Sequence, residues 1–156
     1  MKNQLFAFLV ISLVLASCQP EGRVFSENKE LSPELEWKKD DIRKFKVPIE
    51  DTGEKYNHSL AFRYASGFQF DKAKVRVTEI DPDDIASVYQ YNLKVRDENG
   101  EYIGEPGLDI WDSEHLVEEG KSYDKKGTYT YIIEHVMPQD PLNFAMEIGL
   151  IVDEAK

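Results

Sequence analysis

The sequence predicts an all-β protein, an antiparallel sandwich of about seven to eight strands, and three observations carry that prediction. Apolar and polar residues alternate with period two in several short runs, turn-forming residues punctuate the gaps between them, and no stretch of the chain beyond residue 18 shows a helical period. Taken in order, Phe45, Val47 and Ile49 alternate with Lys44, Lys46 and Pro48, and Asp51-Thr52-Gly53 follows as a turn. Leu60, Phe62 and Tyr64 repeat the pattern, then Val75 and Val77, and Asp81-Pro82-Asp83-Asp84 breaks the chain again. Tyr89, Tyr91, Leu93 and Val95 against Gln90, Asn92, Lys94 and Arg96 make the longest alternating run. Asp97-Glu98-Asn99-Gly100-Glu101 comes next, before Tyr102-Ile103, and Asn-Gly signals a hairpin because both residues tolerate positive φ. Gly127 opens a segment with Tyr129, Tyr131 and Ile133 on one face, and Met146 to Val152 closes the chain as a strand. Strands at this spacing without intervening helices pack as two antiparallel sheets.

The first 17 residues are an address. Lys2 supplies a positive charge, Leu5 to Leu15 is apolar except for Ser12, and Ala16 and Ser17 are small. That order is a secretory signal peptide, and its apolar part falls well short of the roughly 20 residues that cross a bilayer as a helix. Cys18, the only cysteine, follows directly. Leu15-Ala16-Ser17-Cys18 reads as a lipobox, in which the thiol becomes a thioether to diacylglycerol and the freed amine is acylated. One acyl chain anchors only reversibly and two or more anchor stably, so lipidation at Cys18 implies permanent attachment to the membrane. The domain plan is therefore residues 1–17 signal peptide, 18–23 lipidated N-terminus with a short tether, and 24–156 one β-sandwich domain. Gln19-Pro20-Glu21-Gly22 suits a tether. Gln19 is not the aspartate of the inner-membrane retention signal known for lipoproteins of Gram-negative bacteria, which makes the outer membrane the default.

Lys2 is the only charged residue before Cys18, so the chain from Cys18 onward carries 18 basic and 30 acidic side chains, a net charge of −12. Such a chain repels phosphate, which excludes nucleic acid as a partner. On net charge alone it also has no grip on anionic headgroups, leaving the lipid on Cys18 as the sole membrane attachment. The remaining length fits one domain with a full core.

The search for chemistry ends without a catalytic or metal site. His58, His115 and His135 are far apart in sequence, and none has a second histidine at a metal-binding offset. His135 continues the face of Tyr129, Tyr131 and Ile133 and reads as a packed residue. Nucleophile elbow, phosphate loop and dinucleotide fingerprint patterns are all missing from the sequence. Asp97, Asn99 and Glu101 alternate like calcium ligands, but the glycine and the closing acid of a calcium loop are misplaced, and the hairpin accounts for them better. Glu79 with Asp81, Asp83 and Asp84 reads as a solvated acidic turn. No cofactor is expected beyond the diacylglycerol and N-acyl lipid on Cys18. Trp37 and Trp111 are the candidates for stacking on a glycan or a partner, Trp111 because charged residues surround it; against this, aromatics fill strands routinely.

The segment "GTYTYIIEHVMPQDPLNFAMEIGLIV", residues 127–152, resembles the closing part of the GldH family, gliding-motility lipoproteins of the Bacteroidota. The matching positions are Gly127, Tyr129, Tyr131, Ile133-Glu134, Met137, Leu142 and Ile148-Gly149-Leu150. Earlier pieces fit as well: "VFSENKEL" at 24–31, Trp37 before a strand, and "EKYNHSLAFRY" at 54–64. Pro138 stands where the family carries a basic residue, and the family's Asp-Gly-x-Trp segment survives only loosely at residues 99–104. The resemblance implies a non-enzymatic, membrane-anchored component of the gliding machinery, linked to type IX secretion of surface adhesins, whose partners are other envelope motility or secretion proteins. The alternative is a surface glycan-binding lipoprotein of a polysaccharide uptake system.

Overall fold

The structure, a computed structural model, describes residues 20–156; the signal segment and Cys18 lie outside the described residues. Eight strands of seven residues or more form the body: β1 (Arg23–Glu30), β3 (Arg43–Ile49), β4 (Lys55–Ala65), β5 (Lys72–Ile80), β6 (Ala86–Lys94), β8 (Ile110–Ser122), β9 (Gly127–His135) and β11 (Ala145–Glu154). Three two-residue strands, β2 (Glu36–Trp37), β7 (Glu105–Pro106) and β10 (Leu142–Asn143), complete the set. A five-stranded sheet in the order β1-β11-β4-β8-β7 faces a four-stranded sheet in the order β3-β9-β5-β6, and every pairing is antiparallel. The predicted sandwich is thus the fold, with a small β2–β10 ladder as an addition.

Alternation explains the core. Phe45, Val47 and Ile49 of β3, Val75 and Val77 of β5, and Tyr129, Tyr131 and Ile133 of β9 point inward from one sheet. Tyr56, His58, Leu60, Phe62 and Tyr64 of β4 and Ile148, Leu150 and Val152 of β11 point inward from the other. Each fully buried aliphatic or aromatic side chain contributes about 1.5–3 kcal/mol over an exposed one. Among the described residues, every buried hydrophobic side chain lies between Leu31 and Val152, so the core closes within them.

Three features depart from the pattern. The Asn99-Gly100 turn is present, but only Gly100 takes a positive φ, at 83°, and a single bridge between Arg96 and Tyr102 replaces the expected strand pairing. Asp97 holds this turn, its Oδ1 accepting from the amides of Asn99 and Glu101 at 2.8 and 3.0 Å. Tyr89 is 37 % exposed and Tyr91 half-buried although they share a face with buried Leu93, because β6 is an edge strand whose first half overhangs the core. The longest strand, β8, was not apparent from alternation. Its register against β4 slips twice, between Leu116 and Glu118 and between Glu118 and Lys121, and each bulge breaks the two-residue period.

Candidate functional site

The two bulges of β8 re-aim its side chains. They place Glu118 opposite inward-facing His58, and Lys121 opposite inward-facing Tyr56. Gly120 makes the second bulge possible with φ 66°, and its amide donates to Asn57 Oδ1 at 2.9 Å. The result is a polar cluster between the sheets. His58 Nε2 lies 2.7 Å from the Tyr123 hydroxyl, which is 2.5 Å from that of Tyr131. Lys121 Nζ sits 2.8 Å from Glu79 Oε2, a contact made by charge since no aligned hydrogen bond reaches that buried oxygen, and 3.3 Å from Glu118.

Burial governs the protonation of this cluster. It presses the His58 imidazole down to about 3, helped by the charge on Lys121, so His58 is neutral and its Nε2 accepts from Tyr123. The other ring nitrogen, 3.9 Å from Glu118, has no hydrogen bond. Burial raises both tyrosine hydroxyls well above their usual value. For Lys121 burial acts to lower the pKa, but the carboxylates of Glu79 and Glu118 outweigh it and hold the ammonium charged. His58, Tyr123 and Tyr131 are each 3 % exposed or less, so no substrate reaches them, and their work is to fix β4, β8 and β9 against one another.

What the cluster positions is the open side of the sandwich. There β6 is the edge of one sheet, and β8 beyond Asp112 is the edge of the other, since β7 covers only Trp111 and Asp112. Side chains bridge the gap, with the Lys121 ammonium 5.5 Å from the Tyr89 ring centre and Tyr89 stacked 6.4 Å from Tyr91. Exposed apolar residues flank these edges: Ile85 at 61 % before β6, Val88 at 59 % on the outer face of β6, and Leu116 at 57 % on the outer face of β8. Unpaired strand edges flanked by exposed apolar side chains are where another protein adds a strand or packs a face. We take this open side as the candidate contact site.

The two tryptophans part ways. Trp37 is fully buried; its indole donates to the Asp41 carbonyl at 2.8 Å and packs 5.3 Å from His135 and 6.4 Å from Phe62. No sugar can stack on it, which corrects its candidacy: the β2–β10 ladder turns the ring into the core while Glu36 and Lys38 face out. Trp111 is half-buried. It points inward opposite Tyr64, lies 5.4 Å from the Tyr102 ring, and donates to Ser66 Oγ at 3.3 Å. Arg96 caps the other side of this group, its guanidinium 4.7 Å over the Tyr102 ring. His135 is buried as a packed residue, its Nδ1 accepting from the Met137 amide at 3.4 Å.

The outer face of the five-stranded sheet forms a shallow groove of about 540 Å³ lined by Ser26, Asn28, Ala61, Arg63, Glu114 and Glu147 among others. Arg63 crosses its middle, bonded to Asp112 at 2.7 Å and Glu147 at 2.5 Å. Glu79 leaves the acidic turn to join Lys121, while Asp81 Oδ1 accepts from the amides of Asp83 and Ile85 and both Asp81 and Asp83 pair with Lys125. Sequence reasoning missed the polar cluster and the open side. The signal for the first was present, in His58, Glu79 and Tyr131 at inward positions of otherwise apolar strands.

No helix among the described residues is long and apolar enough to cross a membrane. Searches of curated proteins and of solved structures find no match. A family model described as GldH lipoprotein matches residues 23–152.

Proposed function

We propose that this chain, which belongs to the GldH lipoprotein family and is therefore a gliding-motility-associated, membrane-anchored lipoprotein of the cell envelope, works through non-enzymatic contacts with other envelope proteins. The family is not a known enzyme family. The observation that carries the contact reading is the open side of the sandwich, where the edges of β6 and β8 are unpaired and exposed Ile85 precedes β6, with Leu116 exposed on β8. In this reading Cys18 bears the diacylglycerol and N-acyl lipid, the anchor lies in the outer membrane, and the partners are motility or secretion proteins linked to type IX secretion of surface adhesins. Anchoring holds the domain beside its partners, so contacts too weak for free proteins suffice.

Deletion of the gene in the native host, with complementation by wild type and by Cys18→Ala, tests this reading. Colony spreading should be lost and restored by the wild type alone, and labelled palmitate should enter the wild type and not Cys18→Ala. Normal spreading without the gene would remove the motility role.

A further inference from the structure

Net charge alone predicts repulsion from any anionic surface, yet the fold sorts the cations. Strand pairing gathers Lys44 and Lys46 of β3, Lys72, Lys74 and Arg76 of β5, and Lys94 of β6 on the outer side of the four-stranded sheet. The five lysines are exposed and, among the described residues, have no acidic partner within 4.0 Å. Glu134 of β9 is the one carboxylate on that face, and Arg76 pairs with it at 3.1 Å. The row joining Lys44 to Ile132, Thr78 and Val88 across the sheet is otherwise neutral. This leaves a surplus of five positive charges on one face of a strongly acidic chain.

We propose that this face docks the domain side-on against the anionic phospholipid headgroups of the membrane that holds its lipid anchor. The proposal rests on the lipid-anchored reading for its choice of membrane. A broad sheet face matches a plane of headgroups better than a single small anion, and lysines on flexible stems follow a fluid array of phosphates. The tether allows the pose. Residues 18–22 span at most about 17 Å when extended and run into β1, whose Phe25 packs 6.5 Å from Phe45 of β3, the strand carrying Lys44 and Lys46. The end of the sandwich where the tether enters favours it too. Gly22 meets Glu154, Tyr56 pairs with Glu154 and donates to the Asp51 carbonyl, and Pro82 of the Asp81–Asp84 turn packs on Gly127. That end offers no comparable cationic surface, because Lys125 is already paired with Asp81 and Asp83 and Asp51 and Asp84 lie beside them. The outer face of the five-stranded sheet is a poorer counterpart in a second copy, because Arg63 and Arg23 already pair with Asp112, Glu147 and Asp153.

The test is co-sedimentation of residues 20–156 with vesicles of phosphatidylcholine containing about one third phosphatidylglycerol, against pure phosphatidylcholine. Binding should require the anionic lipid and weaken with salt. Each lysine near an anionic leaflet is worth roughly fivefold in binding, so Lys44→Gln, Lys46→Gln and Lys74→Gln together should weaken it on the order of a hundredfold. Lys38→Gln, Lys126→Gln and Lys156→Gln together remove the same charge from exposed positions elsewhere and should weaken it far less. Equal loss in both triple variants, no preference for anionic vesicles, or salt-sensitive self-association in place of vesicle binding would overturn the proposal. The assay requires neither acylation nor motility, so its failure leaves the anchored-lipoprotein reading intact, and failure of that reading shows instead in palmitate labelling and spreading.

Discussion

His58 and Tyr123 meet at 2.7 Å between the two sheets, a neutral imidazole accepting from a hydroxyl that no solvent reaches. Protonating that imidazole would reverse this bond and put a charge beside Lys121 in a site where burial already disfavours it.

Acid should therefore unfold the domain through His58. Its folded pKa, about 3, lies below the value near 6.5 of an unfolded histidine, so the unfolded chain takes up the proton first. The contribution is complete above about pH 6.5 and is lost as pH falls toward about 3, at up to ~1.4 kcal/mol per pH unit. Urea denaturation at a series of pH values should give a shallower acid limb for His58→Gln than for wild type. Parallel limbs would contradict the assignment.

Trp37→Ala should cost about 3–5 kcal/mol, as expected for a fully buried tryptophan. Thermal unfolding measures this. A loss under about 1 kcal/mol would place the ring near the surface and return Trp37 to the list of stacking residues.

Gly104→Ala should loosen the β7–β8 corner. A Cβ there would fall 2.3 Å from the Asp112 carbonyl oxygen, and φ is 122°, a conformation that costs a non-glycine residue about 1–3 kcal/mol. Hydrogen exchange should speed up at the β7–β8 corner while β9 and β11 keep their protection.

The open side can be tested without disturbing the core. Ile85→Asp and Leu116→Asp change residues that are 61 % and 57 % exposed, so stability should move by no more than about 0.5 kcal/mol. Colony spreading should nevertheless fall if partners bind there. Full spreading with both substitutions together would move the contact site elsewhere.

Trp111 is the one aromatic on which the glycan-binding alternative still depends. Its indole emission should stay unchanged across a panel of oligosaccharides, since Tyr102 lies against it at 5.4 Å and Ser66 holds its nitrogen. A saturable shift, absent in Trp111→Phe, would favour the alternative.

Residues such as Val47, Phe62, Tyr131 and Leu150 show why the sandwich was legible in the sequence. Their alternation reports which face is buried whatever the partner strand. β8 was illegible because its bulges put Glu118 and Lys121 inside and Leu116 outside, inverting the usual polarity of the pattern. Trp37 was open to a stacking reading as a tryptophan with no alternating run around it; its two-residue strand turns the ring inward. The lysine face was half-visible, as Lys44 with Lys46 and Lys72 with Lys74. Only the pairing of β3, β9, β5 and β6 adds those charges together. The lipobox is legible in sequence alone, since Cys18 lies outside the described residues.

The position of β1 has a mechanical consequence. The tether enters at Arg23, and β1 is held by an antiparallel ladder to β11 that runs from Arg23–Asp153 to Glu30–Glu147. A pull between the anchor and the body of the domain, directed along β1, loads those pairs in shear, so they resist together instead of unzipping singly. Forced unfolding is governed by the rate of crossing that barrier rather than by equilibrium stability. The chain that precedes β1 is thereby joined to the domain through a strand geometry that resists a lengthwise pull.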